Sequence, residues 1–156
     1  MKNIFKRITP LLVLILILSC SNDDDTISAN NTPPTLTKEQ LSGTWVISYF
    51  ENQTDRTLDY EEFRFLFNAI DHVEADVEDL NIDGEYDLFS DEINGQTYTI
   101  VDISFREDSS STIVNNLLRD LIEEWIVTAI NDNGTTIEFE ERVSNNPPEI
   151  LHLTKL

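Results

Sequence analysis

Glu62-Phe63-Arg64-Phe65-Leu66-Phe67 sets three phenylalanines at every second position. A period of two places Phe63, Phe65 and Phe67 on one face of a β-strand. The same rhythm recurs on either side. Trp45-Val46-Ile47-Ser48-Tyr49-Phe50 aligns Trp45, Ile47 and Tyr49, and His72 to Glu78 alternates Val73, Ala75 and Val77 with Glu74, Asp76 and Glu78. Three dipeptides that tolerate left-handed turn geometry, Asp83-Gly84, Asn94-Gly95 and Asn133-Gly134, predict tight hairpins. Strands are then expected over 85–90, 97–105, 125–130, 135–143 and, after Pro147-Pro148, over 149–156.

Two segments depart from this rhythm. Leu36 to Leu41 reads as one helical turn, with Thr37 and Gln40 forming a capping box and Gly43 ending it. After Ser109 to Thr112, the residues Ile113, Val114, Leu117, Leu118, Leu121 and Ile122 recur at helical spacing, with Arg119 and Asp120 opposite. That is an amphipathic helix of about three turns, capped by Ser111 or Thr112. About eight hairpin-linked strands and one such helix favour an all-β, closed antiparallel up-and-down barrel over a sandwich, because closure removes exposed sheet edges.

The N-terminus carries a separate signal. Lys2, Lys6 and Arg7 precede an apolar run from Leu11 to Leu18, followed by Ser19 and Cys20, the one cysteine of the 156 residues. The run is shorter than the roughly 20 apolar residues of a membrane-spanning helix and has the layout of an export signal. Ile17-Leu18-Ser19-Cys20 resembles the lipobox of bacterial lipoproteins. The resemblance implies cleavage before Cys20 and a covalent lipid on its thiol, the one attached group expected. Two or three acyl chains anchor stably where one is marginal. Ser21 in place of Asp argues against inner-membrane retention. Asn22-Asp23-Asp24-Asp25 resembles the export signal of Bacteroidetes lipoproteins, implying the outer face of the outer membrane. A solvated acidic spacer and the periplasmic face are the alternatives.

Residues 1–19 thus read as a signal peptide, 20–35 as a tether and 36–156 as one domain. The tether is rich in Ser, Asn, Asp, Thr and Pro, with Ile27 its one strongly apolar residue, too little to offset its ordering entropy. Fully extended it reaches about 50 Å. The whole chain has a formal charge of −20. Without residues 1–19, which hold three basic and no acidic residues, it carries seven basic against thirty acidic groups, or −23. This balance disfavours nucleic acid or an anionic surface as partner.

Several further residues resemble a known pattern. Gly43-Thr44-Trp45 after a short helix, the Phe-x-Phe strand, Gly84-Glu85-Tyr86, a Leu-rich helix entering Trp125-Ile126-Val127, and the closing Ile150 to Lys155 are together similar to lipocalin-like lipoproteins. The resemblance implies a small up-and-down barrel with a basic residue over the motif tryptophan, either Arg142 or Lys155. This chain departs from the group in placing Tyr86 where those proteins tend to carry tryptophan.

The apolar face of Trp45, Ile47, Tyr49, Phe63, Phe65, Phe67 and Trp125 either lines a cavity for one small hydrophobic ligand or fills the barrel. Asp79, Asn81 and Asp83 with Gly84 match the first half of a calcium loop, but Ser90 stands where the bidentate glutamate belongs. The preferred reading is therefore solvent-facing acids beside a hairpin turn, and no metal. His72 and His152 have no Cys or His near them in sequence. No nucleophile elbow, catalytic triad signature or phosphate loop is present. We expect a non-enzymatic protein that meets the membrane through its lipid and binds a small hydrophobic ligand or a protein partner. A filled barrel accessory to an envelope complex, or a weak calcium binder through Asp79, Asn81 and Asp83, is the alternative.

Overall fold

The computed structural model describes residues 32–51, 53–107, 111–143 and 147–156. The expected signal segment, Cys20 and most of the expected tether lie outside the described residues.

Helix α1 (Lys38–Leu41) leads into β1 (Gly43–Glu51), a two-residue β2 (Thr54–Asp55) and a 3₁₀ turn (Thr57–Tyr60). Strands β3 (Arg64–Phe67), β4 (His72–Val77), β5 (Leu80–Ile93) and β6 (Gln96–Phe105) follow. Helix α2 (Thr112–Arg119) then precedes β7 (Glu124–Ile130), β8 (Thr136–Glu141) and β9 (Ile150–Lys155). Every pairing is antiparallel, in sequence order from β3 to β9, and β1 joins both β3 and β9. Pairs from Trp45↔Lys155 to Phe50↔Ile150 close the sheet. The result is an eight-stranded up-and-down barrel, as the alternation predicts, with β2 an extra arm on the end of β1.

The buried side of each strand supplies the core. Trp45, Ile47 and Tyr49 face inward with Phe65, Phe67, Val101, Val127, Phe139 and Leu153. Outward positions carry Glu74, Asp76, Asp83, Glu85, Glu138 and Glu140, the reverse of a lipid-facing barrel. Among the described residues no helix is long and apolar enough to cross a membrane.

Both ends of the barrel are capped by a helix followed by a tryptophan. At the α1 end, Thr37 caps the helix in the expected box. The Trp45 Nε1–H donates to the Leu41 carbonyl at 2.6 Å, and Leu36 tucks in with its N–H on Thr99 Oγ1. The Lys155 ammonium lies 5.0 Å from the Trp45 ring centroid and donates to the Gln40 carbonyl. Lys155, opposite Trp45 in the β1–β9 register, is thus the basic residue over the motif tryptophan. Arg142 instead pairs with Asp91 and Glu124. At the other end, Ser111 caps α2 and the Trp125 Nε1–H donates to the Leu121 carbonyl at 3.1 Å.

One expected turn is corrected. Asp83-Gly84 is not a hairpin; both residues lie inside the 14-residue β5. The chain reverses at Glu78-Asp79 instead, with Glu78 at φ 52°. Gly84 answers a packing need: a Cβ there would sit 2.4 Å from the Ser104 carbonyl oxygen. Asn94-Gly95 does form the β5–β6 turn, with φ of 53° and 80°, the double positive φ that such dipeptides allow. Helix α2 is also shorter than expected, with Leu121 and Ile122 beyond its end.

Candidate functional site

The aromatic face reads first as core. None of Trp45, Tyr49, Phe63, Phe65, Phe67 and Trp125 is more than 3 % exposed. They contact one another and their neighbours: Phe63 stacks on Phe65 at 5.7 Å, and Tyr49 meets Tyr60 and Trp125 edge-on at 5.6 and 6.4 Å. The void bordered by Ile47, Phe65, Phe67, Ile103, Leu121 and Leu153 is about 10 Å³. That is room for one water at most, and its walls are apolar.

The α2 end is held by a polar clamp. The Arg56 guanidinium donates to Glu51 at 2.7 Å, to Asp59 at 2.9 Å and to Asp120 just past α2 at 2.9 Å. It also lies 5.8 Å from the Tyr49 ring centroid. Its Glu51 contact, more than its other partners, raises its pKa further. The Tyr60 hydroxyl donates to the Leu117 carbonyl at 3.0 Å, and burial raises its pKa. Together these tie the 3₁₀ turn and the end of β1 to α2.

Beneath the clamp, Glu141 and Glu149 face the barrel end. The Glu149 carboxylate accepts from the Tyr49 hydroxyl, and burial raises both pKa values. Glu141, opposite Trp125 in register, is 8 % exposed and its Oε2 has no hydrogen-bond partner. Burial first, and the neighbouring Glu149 and Glu123 next, raise its pKa.

Beside α2 lies an open groove of about 560 Å³. Phe63, Val77, Leu80, Val114 and Leu117 form its apolar floor, and Ile113 stands on its rim at 75 % exposure. Asp59, Glu62, Glu78 and Asp79 complete the border. Asp59 is paired with Arg56; Glu62, Glu78 and Asp79 have no ion pair among the described residues. Such a groove offers apolar area to a partner and three uncompensated negative charges around it. Nothing in the periodicity of the sequence joins the α2 residues to Phe63, Val77 and Leu80. Helical spacing groups Ile113 with Val114 and Leu117 on one stripe, but only the structure shows that Ile113 is left exposed beside the groove.

The calcium half-motif is not assembled as a loop. Asn81 and Asp83 sit on β5, where alternate residues are about 7 Å apart, and Asp79 is in the preceding turn. Asn81 donates to Glu74 and Asp76. His72 lies 3.6 Å from Asp83, and His152 lies 3.2 Å from Glu138.

No family model, curated protein or solved structure matches the chain.

Proposed function

We propose that this is a lipid-anchored, non-enzymatic, lipocalin-type module of the cell envelope. Its filled barrel serves as the scaffold, and its working surface is the groove beside α2. The occupant is a basic, amphipathic segment of a protein partner. The observation that carries this reading is the apolar floor of Phe63, Val77, Leu80, Val114 and Leu117 inside a border of unpaired Glu62, Glu78 and Asp79. Apolar contact supplies affinity, and the acidic border steers and orients a cationic segment. Lipid on Cys20, displayed on a 16-residue tether, would hold the groove within reach of membrane-bound partners. The Gly43-Thr44-Trp45 motif under Lys155 supports the lipocalin likeness. The small apolar void favours the filled barrel over an internal ligand.

The test uses a Lys/Leu amphipathic peptide and fluorescence anisotropy. Glu62→Lys, Glu78→Lys and Asp79→Lys combined should weaken binding at least tenfold. The same charge change at Asp87, Glu138 and Glu140, remote from the groove, should weaken it far less. Equal weakening by both triples would mean that net charge alone attracts the peptide, and the groove assignment would fail.

A further inference from the structure

The β4–β5 hairpin carries a second cluster on its outer face, at the opposite end of the hairpin from the groove. His72 and Glu74 stand two apart on β4 and so share that face. Asp83 lies directly opposite Glu74 in the β4–β5 register. The His72 Nε2 is 3.8 Å from Glu74 Oε2 and 3.6 Å from Asp83 Oδ1. One donor atom from each of the three residues falls within 4.8 Å of the others. We propose that this trio is a surface site for one divalent transition ion of the zinc type, bound by His72 Nε2, Glu74 Oε2 and Asp83 Oδ1, with water completing the shell.

Three features support this. First, zinc bonds of about 2.0–2.1 Å in a tetrahedral shell set ligand atoms about 3.3 Å apart. The two His72 separations need to close by only about half an ångström, and the two carboxylate oxygens lie within 4.8 Å of each other. Second, Glu74 is oriented from behind. The Asn81 Nδ2–H₂ donates to Glu74 Oε1 and, at 2.8 Å, to Asp76 Oδ1. That leaves Oε2 turned toward His72, the kind of outer-shell support that fixes metal ligands. Third, two carboxylates placed directly opposite across a strand pair repel each other. A bound dication converts that repulsion into attraction.

The ligand set also selects the ion. An imidazole with two carboxylates suits borderline transition ions, whereas calcium takes six to eight oxygens. The half calcium motif of the sequence is thereby divided: Asp83 becomes a ligand, Asn81 an orienting residue, and Asp79 takes no part. His152 provides an internal control. It faces the carboxylate of Glu138 at 3.2 Å and the Phe50 ring, and among the described residues no third ligand joins it.

These two imidazoles are the only ones in the chain, so their nitrogens can be followed individually by ¹H–¹⁵N NMR. The full chain is titrated with Zn²⁺ in nonionic detergent, in a Cys20→Ser background that removes its one thiol. The expected result is a shift of His72 Nε2 that saturates at one equivalent, with His152 unmoved and no response to Ca²⁺. Glu74→Gln and Asp83→Asn should each weaken Zn²⁺ binding at least about tenfold. His72→Gln should abolish the one-equivalent site while leaving the backbone amide spectrum elsewhere superimposable. Parallel shifts of both histidines, unchanged binding in His72→Gln, or no response at millimolar Zn²⁺ would each reduce the cluster to an ordinary His–carboxylate pair and overturn the proposal.

Discussion

Trp45→Phe tests how the barrel is closed at its α1 end. The indole is fully buried, and its N–H holds the Leu41 carbonyl at the end of α1. Losing that buried hydrogen bond costs about 1 kcal/mol. Removing part of a large ring from a close-packed interior costs about 1–2 kcal/mol more. The Lys155 ammonium over the ring adds about 0.5 kcal/mol at a half-exposed site. The substitution should therefore destabilise the domain by about 3 kcal/mol, a Tm decrease of about 10 °C for a domain of this size. Urea unfolding followed by far-ultraviolet circular dichroism measures this, and Trp125 remains as the single tryptophan for fluorescence. Lys155→Met alone should cost about 0.5–1 kcal/mol. The double variant should cost less than the separate losses combined, because the two groups touch. A loss below about 1 kcal/mol for Trp45→Phe, or strict additivity with Lys155→Met, would show that this contact does not latch α1 to the barrel.

Two further outcomes follow from other parts of the molecule. Glu141 and Glu149 have raised pKa values in the fold, so between the ordinary carboxylate range and the raised values the folded chain binds more protons than the unfolded one. Stability should fall as pH rises through that window. Glu141→Gln should accordingly raise stability at pH 7 by about 1 kcal/mol and lose that advantage below pH 4; a constant difference across a pH series of urea melts would exclude titration of this buried carboxyl. Cys20→Ala should leave unprocessed precursor and abolish stable membrane anchoring of the mature form in fractionation, whereas normal processing with membrane retention would refute lipid attachment at this residue.

Much of the barrel is legible in the sequence because period-two burial is a local signal. Phe63, Phe65 and Phe67 face the core where their spacing puts them, and Thr37 with Gln40 forms the capping box that its pattern specifies. Asp83-Gly84 misleads because glycine serves two purposes. Here it admits the Ser104 backbone rather than a turn, and the reversal falls to Glu78-Asp79, a pair with no glycine. The partner of Trp45 depends on long-range register. Arg142 and Lys155 are equal candidates until β1 and β9 align Trp45 with Lys155.

The groove is less legible still. Its floor and border come from α2, the segment before β3 and the β4–β5 turn, pieces that only closure of the barrel brings together. The Arg56 clamp is of the same kind, joining Glu51 and Asp120 across 68 intervening positions of sequence. The His72 cluster likewise needs the β4–β5 register to deliver Asp83 to Glu74.

The most direct test of the groove as the working surface is a chemical-shift map of the isotope-labelled chain titrated with the Lys/Leu amphipathic peptide. The account predicts that shifts gather on Ile113, Val114, Leu117, Glu78, Asp79 and Leu80, with interior residues such as Ile47, Phe65 and Leu153 unmoved. Shifts concentrated on those interior residues would show the barrel opening to take its ligand inside, and shifts spread evenly over the acidic outer strands would show attraction without a site; either result would contradict the account.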